Sequence, residues 1–142
     1  MKKIGFLAVL LACLATTAIA QFPNSIQAYF RYQHPGVKME MIKHSDDGYV
    51  ASFSKEGENG TAYFNEKGKW LRTEIDMNNS NVPESVKLGL ENGKYNGCDI
   101  EEAKLIETPI SKVYTVGVYG DNSGTNQYHY VYCTSSGNCW DK

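Results

Sequence analysis

Apolar side chains recur along this chain at two spacings, and the helical spacing appears first, around residue 25. The apolar positions of this segment are Ile26, Tyr29 and Phe30. Asn24 or Ser25 can cap a helix here, and Pro35 ends it near His34 because proline disfavours helix in the residue before it. The pattern therefore predicts one short amphipathic helix.

A second segment with helical spacing predicts a second helix. Its apolar residues are Val86 and Leu90. The helix is predicted to begin at Asn81, with Pro83 in the first turn and Glu84 as the capping-box partner. Gly93 ends it.

Strict alternation of apolar and polar residues, the spacing typical of strands, follows each helix. In the first half it covers residues 37–41 and 49–53, and a later strand covers 71–75. Asp47-Gly48 and Asn59-Gly60 are interpreted as hairpin turns, because these pairs tolerate positive φ. Strands of the second half are predicted near 98–107, 111–120 and 127–133, with a short one around Cys139 and Trp140.

The order of these elements predicts an α+β fold. An α-β-β-β-β unit occurs twice, and its strands would form an antiparallel sheet with helices packed on one face. The halves also match in sequence: Tyr63–Gly68 parallels Tyr132–Gly137, and a tryptophan follows each, Trp70 and Trp140. The offset between matching segments grows from 61 at His34 to about 69 here, as longer loops in the second half would cause.

The first 20 residues have the pattern of a signal peptide. Two lysines precede the apolar stretch 4–14, and Ala18-Ile19-Ala20 offers small residues for cleavage before Gln21. The expected location is periplasmic or secreted. A bacterial lipobox ending at Cys13 is the minor alternative, in which that cysteine would be lipidated and anchor the chain.

Cleavage would leave residues 21–142, the length of one ordinary domain. We predict a single domain with halves at about 21–77 and 82–142. Loss of the two lysines changes the formal charge from −2 to −4, and no basic cluster remains to attract nucleic acid. No later segment approaches the roughly 18 apolar residues of a membrane helix, so no transmembrane segment is expected.

Three cysteines follow the signal peptide. Cys133 and Cys139 flank a turn-like stretch, 134–138, and an oxidising compartment would favour a disulfide between them. Cys98 is then unpaired, and we interpret it as a buried apolar residue rather than a reactive thiol.

An alternating run of tyrosines is the main candidate for a binding surface. Tyr128, Tyr130 and Tyr132 face one side of a predicted strand, and His129, Val131 and Cys133 face the other. Helices on one side of the sheet must bury one of these sets. Both sets contain apolar side chains, so apolar character is compatible with burial of either. If the tyrosines are open, with Trp70 or Tyr63 beside them, they form a rigid patch suited to protein interfaces. If they are buried, they are ordinary core.

No convergent catalytic or metal-binding set can be assembled. The histidines are His34, His44 and His129. They lack the spacings that hold zinc, and no nucleophile elbow or phosphate loop is present. Asp46-Asp47, Glu101-Glu102 and Asp121-Asn122 offer oxygen ligands for calcium, but none has EF-hand spacing. We therefore predict no enzyme, no cofactor and no metal site.

Short motifs at turns and helix starts carry a family resemblance. They are Pro35-Gly36 and Gly48-Tyr49 before strands, Gly68-Lys69-Trp70 after a hairpin, and Val82-Pro83 with Val86 at a helix start. Together they resemble the PepSY-like proteins of Gram-negative envelopes, which are similar to the β-lactamase inhibitor protein fold. The sequence departs from the pattern where Asn96-Gly97 replaces the second Pro-Gly and where Cys133 and Cys139 occur.

The resemblance implies a non-enzymatic periplasmic domain that binds or inhibits another envelope or secreted protein. Neither that partner nor an oligomeric state follows from the residues. A calcium- or metal-responsive envelope protein is the alternative. A hydrolase is the third hypothesis, and it requires a pocket that joins His34 or His129 to a nucleophile.

Overall fold

The computed structural model describes residues 22–120 and 126–141. The helices are α1 (Asn24–Gln33) and α2 (Glu84–Glu91). The strands are β1 (Met39–Ser45), β2 (Gly48–Lys55), β3 (Glu58–Asn65), β4 (Trp70–Met77), β5 (Asp99–Glu107), β6 (Lys112–Gly120), β7 (Gln127–Thr134) and β8 (Cys139–Asp141). The predicted signal peptide, the alternative lipidation site Cys13 and the Asp121-Asn122 pair lie outside the described residues.

All eight strands form one antiparallel sheet in which each strand pairs with the next in sequence. The junction between the halves is the pairing of β4 with β5, where Ile75 lies opposite Leu105. Both helices pack on the same face: Phe30 of α1 contacts Phe53, and Gly89 of α2 lies against the β7–β8 turn. This confirms the predicted α+β tandem repeat with helices on one side.

The core lies between the helices and the covered face of the sheet. Its fully buried members include Ile26, Val86, Phe53, Phe64, Val116, Val118 and Val131. Those on strands occupy alternate positions, so the opposite set of side chains is directed away from the helices. Neither α1 nor α2 covers that second face, which we call the open face.

The predicted caps of both helices are wrong, because their polar side chains bind elsewhere. Pro23 occupies the N-cap of α1, and the Ser25 hydroxyl donates to the carbonyl of Gly68 at 2.8 Å. Asn81 lies in a 3₁₀ turn before α2 and donates its amide to Glu58 at 2.8 Å. Tertiary hydrogen bonds thus replace the local ones that the sequence suggests.

One predicted hairpin turn is also wrong. The chain reverses at Glu56 and Gly57, whose φ values are 52° and 82°, and Asn59 and Gly60 belong to β3. Gly60 lies opposite Phe53, and a Cβ at this position would collide with the phenylalanine ring. The glycine is therefore required by core packing rather than by a turn.

Candidate functional site

The three tyrosines of β7 lie on the open face. Tyr128 is 43% exposed, Tyr130 is 58% exposed and Tyr132 is half-buried. Val131 and Cys133 alternate with them and are buried beneath α2. Of the two arrangements that the alternating pattern allows, the structure therefore has the one in which the tyrosines lie on the uncovered side.

The Tyr128 side chain has a fixed position across the neighbouring strand. Its hydroxyl donates to a carboxylate oxygen of Glu102 on β5 at 2.9 Å. To reach that far it passes over Gly117 of β6, where a Cβ would collide with the hydroxyl. The absence of a side chain at one position of β6 thus lets an aromatic residue of β7 bind a carboxylate two strands away.

This contact favours the charged form of Glu102. Hydrogen bonds from the hydroxyls of Tyr128 and Tyr130 hold the pKa of the Glu102 carboxyl below its usual range. Desolvation of the Tyr128 hydroxyl and its hydrogen bond to Glu102 raise the pKa of that tyrosine. The carboxylate is therefore anionic at neutral pH, and the tyrosine is its donor.

Further aromatic residues adjoin these tyrosines. Trp140 of β8 is 46% exposed and stacks on Tyr132 with ring centroids 6.1 Å apart. Tyr119 pairs with Tyr128 across β6 and β7 and is 43% exposed. We call the set Tyr119, Tyr128, Tyr130, Tyr132 and Trp140 the aromatic surface. Sequence reasoning missed Tyr119 and Trp140 as members, and only strand register could have found them.

A groove of about 830 Å³ borders the aromatic surface. Tyr130 and Tyr132 form one wall, and the opposite side carries Glu101, Glu102 and Asp76. Lys104 also lines the groove, but its ammonium group lies 3.4 Å from Asp76 and 3.6 Å from Glu74, so its charge is already matched. The groove therefore combines aromatic rings with excess negative charge.

Tyr63 shares the open face but not the aromatic surface. It lies on β3, and three strands separate it from β7. The Arg72 guanidinium carbon lies 3.7 Å from the centre of its ring, and the Nε of that arginine donates to Glu74 at 2.9 Å. The ring is thus occupied by a cation from its own chain.

Trp70 lies on the covered side of the sheet, so its predicted place beside the tyrosines is wrong. Its indole nitrogen donates to the Thr73 hydroxyl at 2.9 Å, and its ring packs on Tyr29 of α1. A register irregularity in β3–β4 places Trp70 opposite Phe64, whereas Trp140 lies opposite Tyr132. Trp70 and Trp140 therefore differ by one position in the repeat. A shift of one position along a strand turns a side chain to the opposite face of the sheet.

The expected disulfide between Cys133 and Cys139 is present, and it joins β7 to β8 on the covered side. Cys98 is a free, half-buried cysteine. It lines a small cavity of about 250 Å³ together with Tyr95 and His129.

The histidines belong to separate surroundings. His34 is buried, and its Nε2 is hydrogen-bonded to the Tyr29 hydroxyl at 2.9 Å, while His129 packs against Tyr95 in the other half. Burial, reinforced by the charge of Lys55, lowers the pKa of His34. Within residues 22–120 and 126–141, no side-chain hydrogen bond joins a histidine to a serine, threonine or cysteine.

The other functional candidates gain no support from the described part of the chain. Across that part, no three histidine, cysteine or acidic side chains converge as metal ligands, although Asp46-Asp47 and Glu101-Glu102 are both included. Neither α1 nor α2 is long and apolar enough to cross a membrane.

The chain matches a known family of proteins over most of its length. The family described as beta-lactamase-inhibitor-like, PepSY-like matches residues 15–60 and 49–126, and the chain belongs to it. The resemblance seen in its turns and helix starts is therefore confirmed.

Several solved structures share this fold. A BLIP-like protein from Bacteroides fragilis has 23% identity and a TM-score of 0.66, with 89% of each chain covered. DUF2874 family proteins from Bacteroides ovatus and Bacteroides uniformis each have 20% identity and a TM-score of 0.62. The first comparison covers 82% of this chain and 83% of the other, and the second covers 84% and 86%. At such identities the likeness is one of fold. No curated protein matches the chain.

Proposed function

We propose that this protein is a non-enzymatic periplasmic or secreted module that binds another protein and covers part of its surface. The observation that carries this proposal is the aromatic surface on the open face. Tyr128, Tyr130 and Trp140 are large, exposed and mounted on paired strands. Aromatic residues of this kind dominate the binding energy of protein interfaces.

The aromatic surface is already ordered before any partner arrives. Tyr128 is held by Glu102 at 2.9 Å, and Tyr130 packs edge-on against it with ring centroids 5.1 Å apart. Binding therefore orders few additional side chains, and each immobilised side chain that is avoided saves about 0.5–1.5 kcal/mol. This rigidity favours recognition of a partner over a purely structural role.

Export is the second part of the proposal. The signal-peptide pattern of residues 1–20 supports it, and so does the disulfide between Cys133 and Cys139, because disulfides persist in oxidising compartments. We further propose that residues 21–142 act as one domain of two halves, about 21–77 and 82–142, because β4 and β5 join both halves in one sheet.

Photo-crosslinking in cells that export the full chain tests the proposal. Benzoylphenylalanine replaces Tyr130, and in a matched control it replaces Tyr32, which is 76% exposed on α1. We expect a light-dependent adduct with a discrete protein from position 130 only. Adducts of the same kind from both positions, or none from position 130, contradict the proposal.

A further inference from the structure

The first half of the open face contains a complete cation site made from its own residues. The Arg72 guanidinium stacks on Tyr63, with its central carbon 3.7 Å from the ring centre. The same group forms an ion pair with Glu74 at 2.9 Å. An aromatic ring and a carboxylate thus hold one guanidinium between them, the arrangement that suits arginine best.

The second half also places a carboxylate and a tyrosine in one row on the open face, although Tyr63 corresponds in the repeat to Tyr132 rather than to Tyr130. Glu102, Gly117 and Tyr130 lie in one row across β5, β6 and β7. The Tyr128 hydroxyl crosses over Gly117 to reach Glu102, and all three residues of the row also line the groove, so a ligand in the groove can contact both the carboxylate and Tyr130. Tyr130 is 58% exposed and lines the groove, so its side chain is accessible from there.

No basic side chain of the described chain pairs with this carboxylate. Within residues 22–120 and 126–141, neither Glu101 nor Glu102 forms an ion pair with a lysine or arginine. The nearest candidate, Lys104, is paired with Glu74 and Asp76 instead. Hydrogen bonds from the tyrosines lower the pKa of Glu102, so its negative charge persists at neutral pH.

We propose that a partner protein supplies the missing cation, an arginine side chain that enters the groove between Glu102 and the ring of Tyr130. This inference rests on the proposed function and names the chemistry of its ligand. The guanidinium would form an ion pair with the carboxylate and a cation–π contact with the ring, as Arg72 does with Glu74 and Tyr63.

Flat aromatic surfaces also stack against sugar rings, so an oligosaccharide is the competing ligand class. Charge favours the cation, because the acidic residues of the groove outnumber its one lysine. Burying that excess negative charge under a neutral sugar would leave it unpaired, whereas a guanidinium neutralises it.

A peptide titration followed by amide NMR tests this inference on the exported chain. The probes are acetyl-Gly-Arg-Thr-Arg-Gly-amide, its twin with citrulline in place of both arginines, and cellohexaose. Citrulline keeps the shape of arginine and removes its charge. We expect saturable shifts at Glu102, Gly117 and Tyr130 with the arginine peptide, and at least about tenfold weaker binding of the citrulline twin.

Two variants with the same charge change serve as the matched pair. Glu102→Gln should weaken binding of the arginine peptide about tenfold, and Glu40→Gln, on the exposed edge strand β1, should leave it unchanged. Thermal unfolding of both variants shows whether the fold is retained. Tyr130→Leu keeps apolar bulk and removes the aromatic ring, so it should also lower the affinity for the arginine peptide.

Equal binding of both peptides, no shifts at these residues, saturation by cellohexaose alone, or an unchanged affinity in Glu102→Gln would each overturn the inference. These results differ from failure of the proposed function. A crosslinked partner at position 130 whose capture does not depend on Glu102 would leave the module a protein binder and remove only the arginine.

Discussion

The two halves of this protein fill the space beneath their helices in different ways. Ser25 of α1 and Ser85 of α2 each donate to a carbonyl of the hairpin turn below, Gly68 at 2.8 Å and Ser135 at 2.7 Å. With the serines aligned, Tyr29 and Gly89 occupy equivalent helix positions 60 residues apart. The first half therefore places a large side chain where the second half has none.

The strand residues beneath each helix differ correspondingly between the two halves. Tyr29 packs on Phe64 and Trp70, with ring centroids 5.3 Å and 5.1 Å away. In the second half the equivalent positions, 69 residues later, are Cys133 and Cys139, which form the disulfide. A Cβ on Gly89 would collide with the carbonyl of Gly137, so this helix packs directly against the turn. The same backbone is thus stabilised by aromatic packing in one half and by a covalent bond in the other.

The two halves also differ on the open face. In the first half, Tyr63 is covered by Arg72. In the second half, Tyr132 is the equivalent residue and stacks on Trp140, which extends an exposed aromatic surface. The two halves of the open face therefore have different chemistry on the same scaffold, and the proposed binding surface lies on the second half.

The largest expected effect comes from removing the aromatic filling of the first half. Phe64→Ala should lower the free energy of unfolding by about 3–5 kcal/mol, because Phe64 is 2% exposed and its loss leaves a cavity under Tyr29. Denaturant unfolding measures this. Tyr63→Ala, on the same strand but the open face, should cost about 1 kcal/mol or less. Equal losses would contradict the assignment of the two faces.

The second half should depend on its disulfide to a smaller extent. Cys133 and Cys139 are six residues apart, and closing so short a loop stabilises by about 2 kcal/mol. The double variant Cys133→Ala/Cys139→Ala should show this loss of unfolding free energy. Treatment of the parent with a reductant should reproduce the loss, and the same reductant should leave the double variant unaffected.

The smallest effect we expect is a pH dependence of stability that arises from the residue following α1 and not from the residue at the equivalent position after α2. His34 and Tyr95 start equivalent turns, in which their carbonyls accept from Val37 and Cys98. Burial lowers the pKa of His34, so the unfolded chain binds a proton more readily than the folded one. Stability should therefore fall as the pH drops below the unfolded value of about 6.5.

Chemical denaturation between pH 7.5 and 5 checks this direction. His34→Gln should flatten the decline in unfolding free energy. Tyr95→Phe, at the equivalent position, should leave its slope unchanged. A steeper decline in His34→Gln would show that protonation of the imidazole stabilises the fold, which is the opposite of the expected direction.

Much of the fold could be predicted because strand and helix periodicity is a local property. The helices around Ile26 and Val86 and the strand 127–133 follow from spacing alone. The failures involve competition between local and distant partners. Asn59-Gly60 resembles a turn, yet the ring of Phe53 requires that glycine within a strand.

The candidate site could be predicted only in part. Alternation places Tyr128, Tyr130 and Tyr132 on one side of β7, but no local signal reveals which side the helices cover. Trp70 and Trp140 look equivalent in sequence and lie on opposite faces, because their hairpins differ in register by one position. Glu102 has no sequence signal that links it to Tyr128, since the contact crosses two strand pairings and depends on Gly117.

The sequence by itself determined the repeated order of helix and strands, the alternation that gives the sheet two chemically distinct sides, and the proximity of Cys133 to Cys139. Each of these depends on residues a few positions apart, where backbone geometry fixes the relation between side chains. The tertiary structure decided which side faces solvent, which tryptophan joins the tyrosines, and which carboxylate they bind. Those relations depend on strand register and helix placement, which are set by packing between residues far apart in the chain.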